Sequence, residues 1–228
     1  MTDNNVKTVV KLTGVTKVYR QGAMEVPALR GLDLEVMRGD FLAICGPSGS
    51  GKSTALNIIG ALDKPTAGKV MVEGADLGTL SRTALSKLRR DRIGFVFQAY
   101  NLIPVLTAYE NAESVMALQG VDAAVRKEKV MALLKEVGLE GMEHRRPDHL
   151  SGGQQQRVAI ARAIAPDPAV VLADEPTANV DSETAEKLLS IMEKLNRERG
   201  ATFIFSTHDP RVMDRARRIV RLVDGQVE

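Results

Sequence analysis

The eight residues Gly46-Pro47-Ser48-Gly49-Ser50-Gly51-Lys52-Ser53 constrain this chain more than any other stretch. They match the phosphate-loop (P-loop) pattern G-x-x-x-x-G-K-S/T at every position. Glycine lets backbone N–H groups turn inward around phosphate oxygens, in conformations that other residues avoid. The run Asp40–Cys45 in front of the loop reads as a buried strand, and Ser53–Leu62 behind it reads as a helix. The helix adds the positive end of its dipole to the loop's donors. Lys52 is expected to reach phosphate oxygens and Ser53 to ligate Mg²⁺, with Thr54 completing the cradle.

Around this loop, apolar runs and helical periodicity alternate from end to end, which predicts an α/β fold with a mainly parallel sheet. Val6–Leu12 and Leu32–Val36 read as strands of an N-terminal antiparallel β region. Lys69–Glu73, Ile93–Phe97, Pro168–Ala173 and Thr202–Ser206 read as further strands. From Ala108 to Glu140 the period is helical, through Val115, Met116 and Leu118 and then Val130, Leu133, Leu134 and Val137. This predicts a helical lobe inserted into one domain of residues 1–228. The core would take about 1–98 and 158–228, and the lobe about 99–157. Gly153–Ala165 and Ser182–Arg199 read as helices, the second amphipathic. The basic runs Lys87–Arg92 and Arg215–Arg221 read as solvated helix faces.

Composition excludes several classes. Lys and Arg total 31 against 29 Asp and Glu, a net charge of +2. Electrostatics alone therefore gives no case for nucleic-acid binding. The single cysteine, Cys45, excludes an internal disulfide framework, suits a reducing compartment, and reads as a small buried hydrophobe. Met1 to Lys11 lacks the apolar core of a signal peptide. No stretch approaches the roughly 20 apolar residues that span a bilayer. Any membrane pore is expected on another chain.

Two further motifs bear chemistry. Val170-Val171-Leu172-Ala173-Asp174-Glu175 is an apolar strand ending in adjacent carboxylates. Alone, such a pair is a solvated strand end. Downstream of a P-loop it fits Mg²⁺ binding by Asp174 and activation of an attacking water by Glu175 as general base. Leu150-Ser151-Gly152-Gly153-Gln154-Gln155-Gln156-Arg157 opens a helix. Ser151 to Gln154 would turn backbone donors and the helix dipole toward an anion. An N-cap accounts for Ser151. It does not account for paired glycine, which weakens a helix start; close approach to a phosphate would.

Together these motifs resemble the ATP-binding subunit of an ABC transporter, along the whole chain. The resemblance implies a P-loop NTPase core, ATP and Mg²⁺ as cofactors, and ATP hydrolysis. In that family the P-loop of one copy and the Leu-Ser-Gly-Gly-Gln segment of another close on the same ATP. The implied partners are a second copy of this chain and a membrane permease on a separate chain, with no nucleic acid. The implied location is peripheral, on the cytoplasmic face of a bacterial inner membrane. Gln98, after the strand Ile93–Phe97, would sense Mg²⁺ and the attacking water. His208 would contact the γ-phosphate. Asp181, in Ala178-Asn179-Val180-Asp181, would sit at the subunit seam, beside its plainer reading as a helix N-cap. Many relatives have glycine where Ala178 stands. Tyr19 would stack on adenine, an interaction of ~1–3 kcal/mol; alternatively it packs on a neighbouring strand residue.

Three stretches narrow the resemblance. Val26–Gly31, Phe95–Pro104 and Leu172–Asn179 look like the bacterial class of lipoprotein-release, macrolide-export and cell-division ATPases. A soluble ABC ATPase acting on DNA or ribosomes is the contrasting class. It usually adds coiled-coil insertions or a second such domain, and neither is in this sequence. Coupling to a partner is expected through Gln98 to about Thr107. Leu102, Ile103, Val105 and Leu106 crowd Pro104 there, either as a groove for a partner helix or as packing of the lobe onto the core.

Overall fold

The computed structural model describes residues 7–22 and 24–228. Val6, where the first strand was expected to start, lies outside the described residues. β1 (Thr8–Gln21) and β2 (Met24–Met37) pair antiparallel, and each is much longer than its apolar run. The expected Val6–Leu12 and Leu32–Val36 cover only the halves that face the core. The outer halves are mostly exposed, and Met24–Gly31 of β2 mixes apolar Met24, Val26 and Ala28 with Glu25, Pro27 and Arg30, so no clean alternation marks a strand there. β4 (Ala67–Val72) and β5 (Ala75–Asp76) complete a four-stranded antiparallel sheet in the order β2-β1-β4-β5.

The second sheet forms from β3 (Phe41–Cys45), β6 (Ile93–Val96), β7 (Val170–Asp174), β8 (Phe203–Thr207), β9 (Arg218–Val223) and β10 (Gln226–Val227), ordered β10-β9-β3-β8-β7-β6. Every pairing in it is parallel except β10 with β9. A strand's side chains alternate between faces, and both faces of the central strands are buried. Phe41, Ala43, Phe203 and Phe205 pack on one side with the helices α3 (Ala108–Leu118), α4 (Ala123–Glu136), α5 (Gly152–Ile164) and α6 (Ser182–Arg199). Leu42, Ile44, Leu172 and Ile204 pack on the other side with α1 (Lys52–Ile59) and the antiparallel sheet. Cys45 is a buried free thiol in this core.

The expected helical stretch from Ala108 to Glu140 is two helices. Gly120, at φ 76°, ends the first turn-out, and Asp122 caps the second by accepting from the Ala124 and Val125 N–H groups. The 157/158 boundary between lobe and core falls inside α5, an unbroken helix. α2 (Arg82–Arg92) carries the first basic run. The second run corrects the sequence reading: Arg215 ends the short helix α7 (Pro210–Arg215), and Arg218 and Arg221 lie on strand β9. Burial alternates along β9, with Val220 and Leu222 inside and Ile219 and Arg221 exposed, a strand pattern that the count of arginines hid. Among the described residues no helix is long and apolar enough to cross a membrane.

The parallel register positions the site. Cys45 pairs with Thr207, Asp174 with Ser206, and Val96 with Ala173. The carboxyl ends of β3, β6, β7 and β8 therefore lie side by side. The loops bearing Gly46, Gln98, Glu175 and His208 all leave from that edge, where ligands of open α/β sheets bind.

Candidate active site

The P-loop runs from the end of β3 to α1. Gly46, Gly49 and Gly51 have φ of 150°, 80° and 102°. At two of these, space as well as conformation demands glycine. A Cβ on Gly46 would lie 2.0 Å from the Leu222 carbonyl oxygen, and one on Gly51 would lie 2.4 Å from that of Ala28. Gly51→Ala is expected to cost about 2 kcal/mol, lowering the melting temperature by roughly 4–8 °C in a domain of this size. Unchanged thermal unfolding would mean that the Ala28 strand yields freely.

Gly51 is also the N-cap of α1, with no side-chain cap and no acidic residue in the first turn. Each of the other described α-helices is capped, by Ser81, Thr107, Asp122, Ser151, Asp181 or Asp209. The first N–H groups of α1 are thus left for an anion. Lys52 is 8% exposed. Its ammonium donates to the carbonyls of Gly46 and Pro47, each at 2.8 Å, which folds the charge into the loop.

The acidic strand end stands opposite. Ser53 Oγ donates to Asp174 Oδ1 at 3.0 Å. Glu175 adopts φ 45°, rare for a residue with a side chain, and its N–H donates to Ser206 O at 2.9 Å. Such backbone strain collects at functional sites. Both carboxylate oxygens are held. Thr207 Oγ1 donates to Oε2 at 3.2 Å, and His208 Nδ1 lies 2.6 Å from Oε1. The imidazole and the Thr207 hydroxyl thus flank the two oxygens of one carboxylate. Gln98, Glu175 and His208 line one cleft of about 600 Å³ with Ala28, Pro47–Gly49 and Gly51–Thr54.

Gln98 is tied across the cleft mouth to Asn179. Its Nε2 donates to Asn179 Oδ1 at 3.3 Å, and Asn179 Nδ2 donates to the Gln98 carbonyl at 3.0 Å. Asp181 caps α6, accepting from Thr184 N at 2.9 Å and Thr184 Oγ1 at 2.7 Å. The Thr184 N–H holds its carboxyl below the usual carboxylate range.

Ser151 caps α5 in a reciprocal box. Ser151 Oγ accepts from Gln154 N at 3.3 Å, and Gln154 Oε1 accepts from Ser151 N at 2.9 Å. The paired glycines have a reason inside the chain that the sequence reading lacked. A Cβ on Gly152 would meet the Tyr100 hydroxyl at 2.7 Å, and one on Gly153 would meet Thr184 Cγ2 at 2.3 Å. No residue of Ser151–Gln154 lines the cleft that holds the P-loop.

The family model described as ABC transporter matches residues 29–178. The chain belongs to the ABC transporter family. It is an ATP-binding subunit of that family and an ATPase. It is 51% identical to the lipoprotein-releasing system ATP-binding protein LolD of Anaeromyxobacter dehalogenans, over 96% of this chain and 92% of that protein. It is 47% identical to the macrolide export ATP-binding/permease protein MacB of Syntrophobacter fumaroxidans, over 96% of this chain but only 31% of that longer protein. Among solved structures, it resembles an ATP-binding cassette of Methanocaldococcus jannaschii, a dimer in a post-hydrolysis state bound to ADP and Pi. The TM-score is 0.88 at 48% identity, covering 96% of each chain.

Tyr19, like Ser151–Gln154 and Asp181, does not line the P-loop cleft. It lies on β1, with its hydroxyl donating to Asp63 Oδ2 at 2.8 Å and Lys17 Nζ 4.8 Å from its ring centre. Burial and the Asp63 carboxylate raise its phenol pKa, opposed by Thr54, which does line the cleft.

Other residues escaped the sequence reading. Ala28 lines the cleft from β2, and no local pattern marks it. Gln156 is fully buried, and its Nε2 donates to Pro176 O at 2.7 Å and Phe97 O at 3.4 Å. It ties α5 to the ends of β6 and β7. Its one sequence signal is an amide on the apolar face of α5. Arg162 donates to the carbonyls of Tyr100 at 2.9 Å and Asn101 at 2.5 Å.

Proposed function

We propose that this ABC ATPase works as one half of a head-to-tail pair, closing on two ATP molecules, and drives a permease carried on a separate chain. One observation carries the pairing: the P-loop cleft contains none of the Ser151–Gln154 segment of its own chain. A second copy would supply that segment. Isolated Glu175→Gln protein with ATP should form a stable dimer by light scattering. A persistent monomer under saturating ATP and Mg²⁺ would sink this reading.

The residues suit the reaction. The uncapped start of α1 and the Lys52 ammonium face phosphate oxygens, where charge-assisted hydrogen bonds are strong. A hard cation such as Mg²⁺ takes oxygen ligands and usually one or two carboxylates, with the rest from phosphates and water. Ser53 Oγ and Asp174, 3.0 Å apart, fit that need, with Gln98 in the same cleft. Among the described residues no cluster of three acidic, His or Cys side chains forms a ready metal cage. A bound cation would neutralise charge on the phosphates. Glu175 takes the proton of the attacking water as general base. Thr207 and His208 fix its carboxylate, and His208 contacts the γ-phosphate. Tyr19 stacks on adenine, and Asp181 belongs to the subunit seam.

For the permease, an apolar groove of about 480 Å³ lies between α2, β6 and α3, lined by Phe95, Phe97, Ile103, Val115 and Leu118 among others. Ile103 is 45% exposed and Leu118 71%. Leu102, by contrast, packs against the core and joins the lobe to it. The expected coupling patch is thus divided between the two alternatives. Ile103→Glu is expected to reduce assembly with the permease at least tenfold while the isolated subunit keeps its melting temperature and ATP affinity. Normal assembly with that variant would move the docking site elsewhere. The work performed is extraction of lipoprotein or lipid from the membrane, or macrolide- or peptide-type export, driven by the subunit from its place on the cytoplasmic face of a bacterial inner membrane. The kinship with LolD and MacB supports this reading. Membrane vesicles holding the subunit with a co-expressed permease, assayed for ATP-dependent release of lipoprotein and for drug efflux, would decide between the two cargoes.

A further inference from the structure

Tyr100 stands in a turn built at some cost. Tyr100 and Asn101 have φ of 58° and 49°, left-handed values that side chains disfavour. Strain of this kind persists only where surrounding structure over-determines it. Here the half-buried guanidinium of Arg162 grips both carbonyls, at 2.9 Å and 2.5 Å. The Tyr100 N–H donates to Phe97 O at 3.2 Å, closing the turn around Gln98. The result is a phenol aimed at two other segments. Its hydroxyl donates to the Asn179 carbonyl at 3.1 Å, and Asn179 in turn holds Gln98 by both its amide and its carbonyl. The same hydroxyl rests on Gly152, where it occupies the space a Cβ would need. Burial raises the phenol pKa, so the group remains a donor.

We propose that Tyr100 is a positioning residue that couples the two ATP sites of the dimer through its hydroxyl. The inference rests on the head-to-tail reading above. In that reading Gln98 serves the nucleotide on its own P-loop, whereas Gly152 serves the nucleotide on the partner's. Tyr100 touches both arms: Gln98 through Asn179, and Gly152 directly. A shift of Gln98 on filling of one site is then transmitted to the start of α5 facing the other. The absence of a side chain at Gly152 is what allows the contact.

The test uses the full chain in a Glu175→Gln background, reading ATP-driven dimerisation by light scattering as ATP is titrated. Tyr100→Phe keeps the ring and removes only the hydroxyl. Its dimerisation midpoint is expected to rise about fivefold, the weight of one hydrogen bond, with a shallower dependence on ATP. Nucleotide affinity of the monomer, measured in Glu175→Gln protein too dilute to dimerise, should stay within about twofold. Gly152→Ala, which drives a Cβ into the hydroxyl, should also raise the midpoint. Because the next Tyr100 atom lies 3.6 Å away, removing the hydroxyl relieves that clash. The Tyr100→Phe/Gly152→Ala pair should therefore match Tyr100→Phe alone, a non-additivity expected of contacting residues. Additive effects, or an unchanged midpoint and slope for Tyr100→Phe, would overturn the proposal. A loss of monomer affinity equal to the midpoint shift would overturn it too, by reducing Tyr100 to loop folding. If Glu175→Gln alone stays monomeric, the head-to-tail reading fails and this proposal falls with it.

Discussion

Glu175→Gln is expected to keep ATP affinity near that of the parent and to lose turnover by roughly 10²–10⁴, the usual weight of a general base. The substitution preserves shape. The side-chain carbonyl can still accept from Thr207 Oγ1, which lies 3.2 Å from Oε2 in the parent. What vanishes is the ability to take a proton from water. The position has little tolerance for other changes, because its φ of 45° and its N–H bond to Ser206 aim the side chain. Phosphate release in the steady state, together with a nucleotide-binding titration, checks both halves of the expectation. Turnover within a factor of about ten of the parent would remove Glu175 from the role of base.

Lys52→Ala is expected to weaken ATP binding by roughly 100-fold, since hydrogen bonds to charged groups contribute about 1.5–3 kcal/mol each. Its ammonium is the cation inside the loop, poised on the Gly46 and Pro47 carbonyls at 2.8 Å. Those two bonds also stitch the loop together, so the variant must be shown to be folded. The circular dichroism spectrum should match the parent, with the melting temperature lowered by a few degrees at most. A folded variant that binds ATP normally would show that the N–H groups at the start of α1 suffice. A variant that unfolds would mark Lys52 as structural first.

The sequence by itself determined the features that depend on a few consecutive residues. The strand, P-loop and α1 were legible because a tight glycine turn leaves a fixed pattern. α6 was read at both ends, since Asp181 caps its start and Gly200, at φ 65°, stops it. The acidic end of β7 was legible because an apolar run that stops on two carboxylates is unusual. Tertiary structure alone decided how these pieces meet. The glycine pair at 152–153 was read from its approach to a phosphate, and tertiary structure adds a separate reason, since Tyr100 and Thr184 fill the space a side chain would need. Leu102 and Ile103 are adjacent and equally apolar, but the first packs on the core and the second lines a groove. Arg215–Arg221 read as one basic face and became the end of a helix and a strand. Gln98 and Asn179 are 81 residues apart and bind each other by two hydrogen bonds. Periodicity and turn chemistry report on neighbours along the chain. Which distant side chain occupies a given space is set by packing, and no local pattern records it.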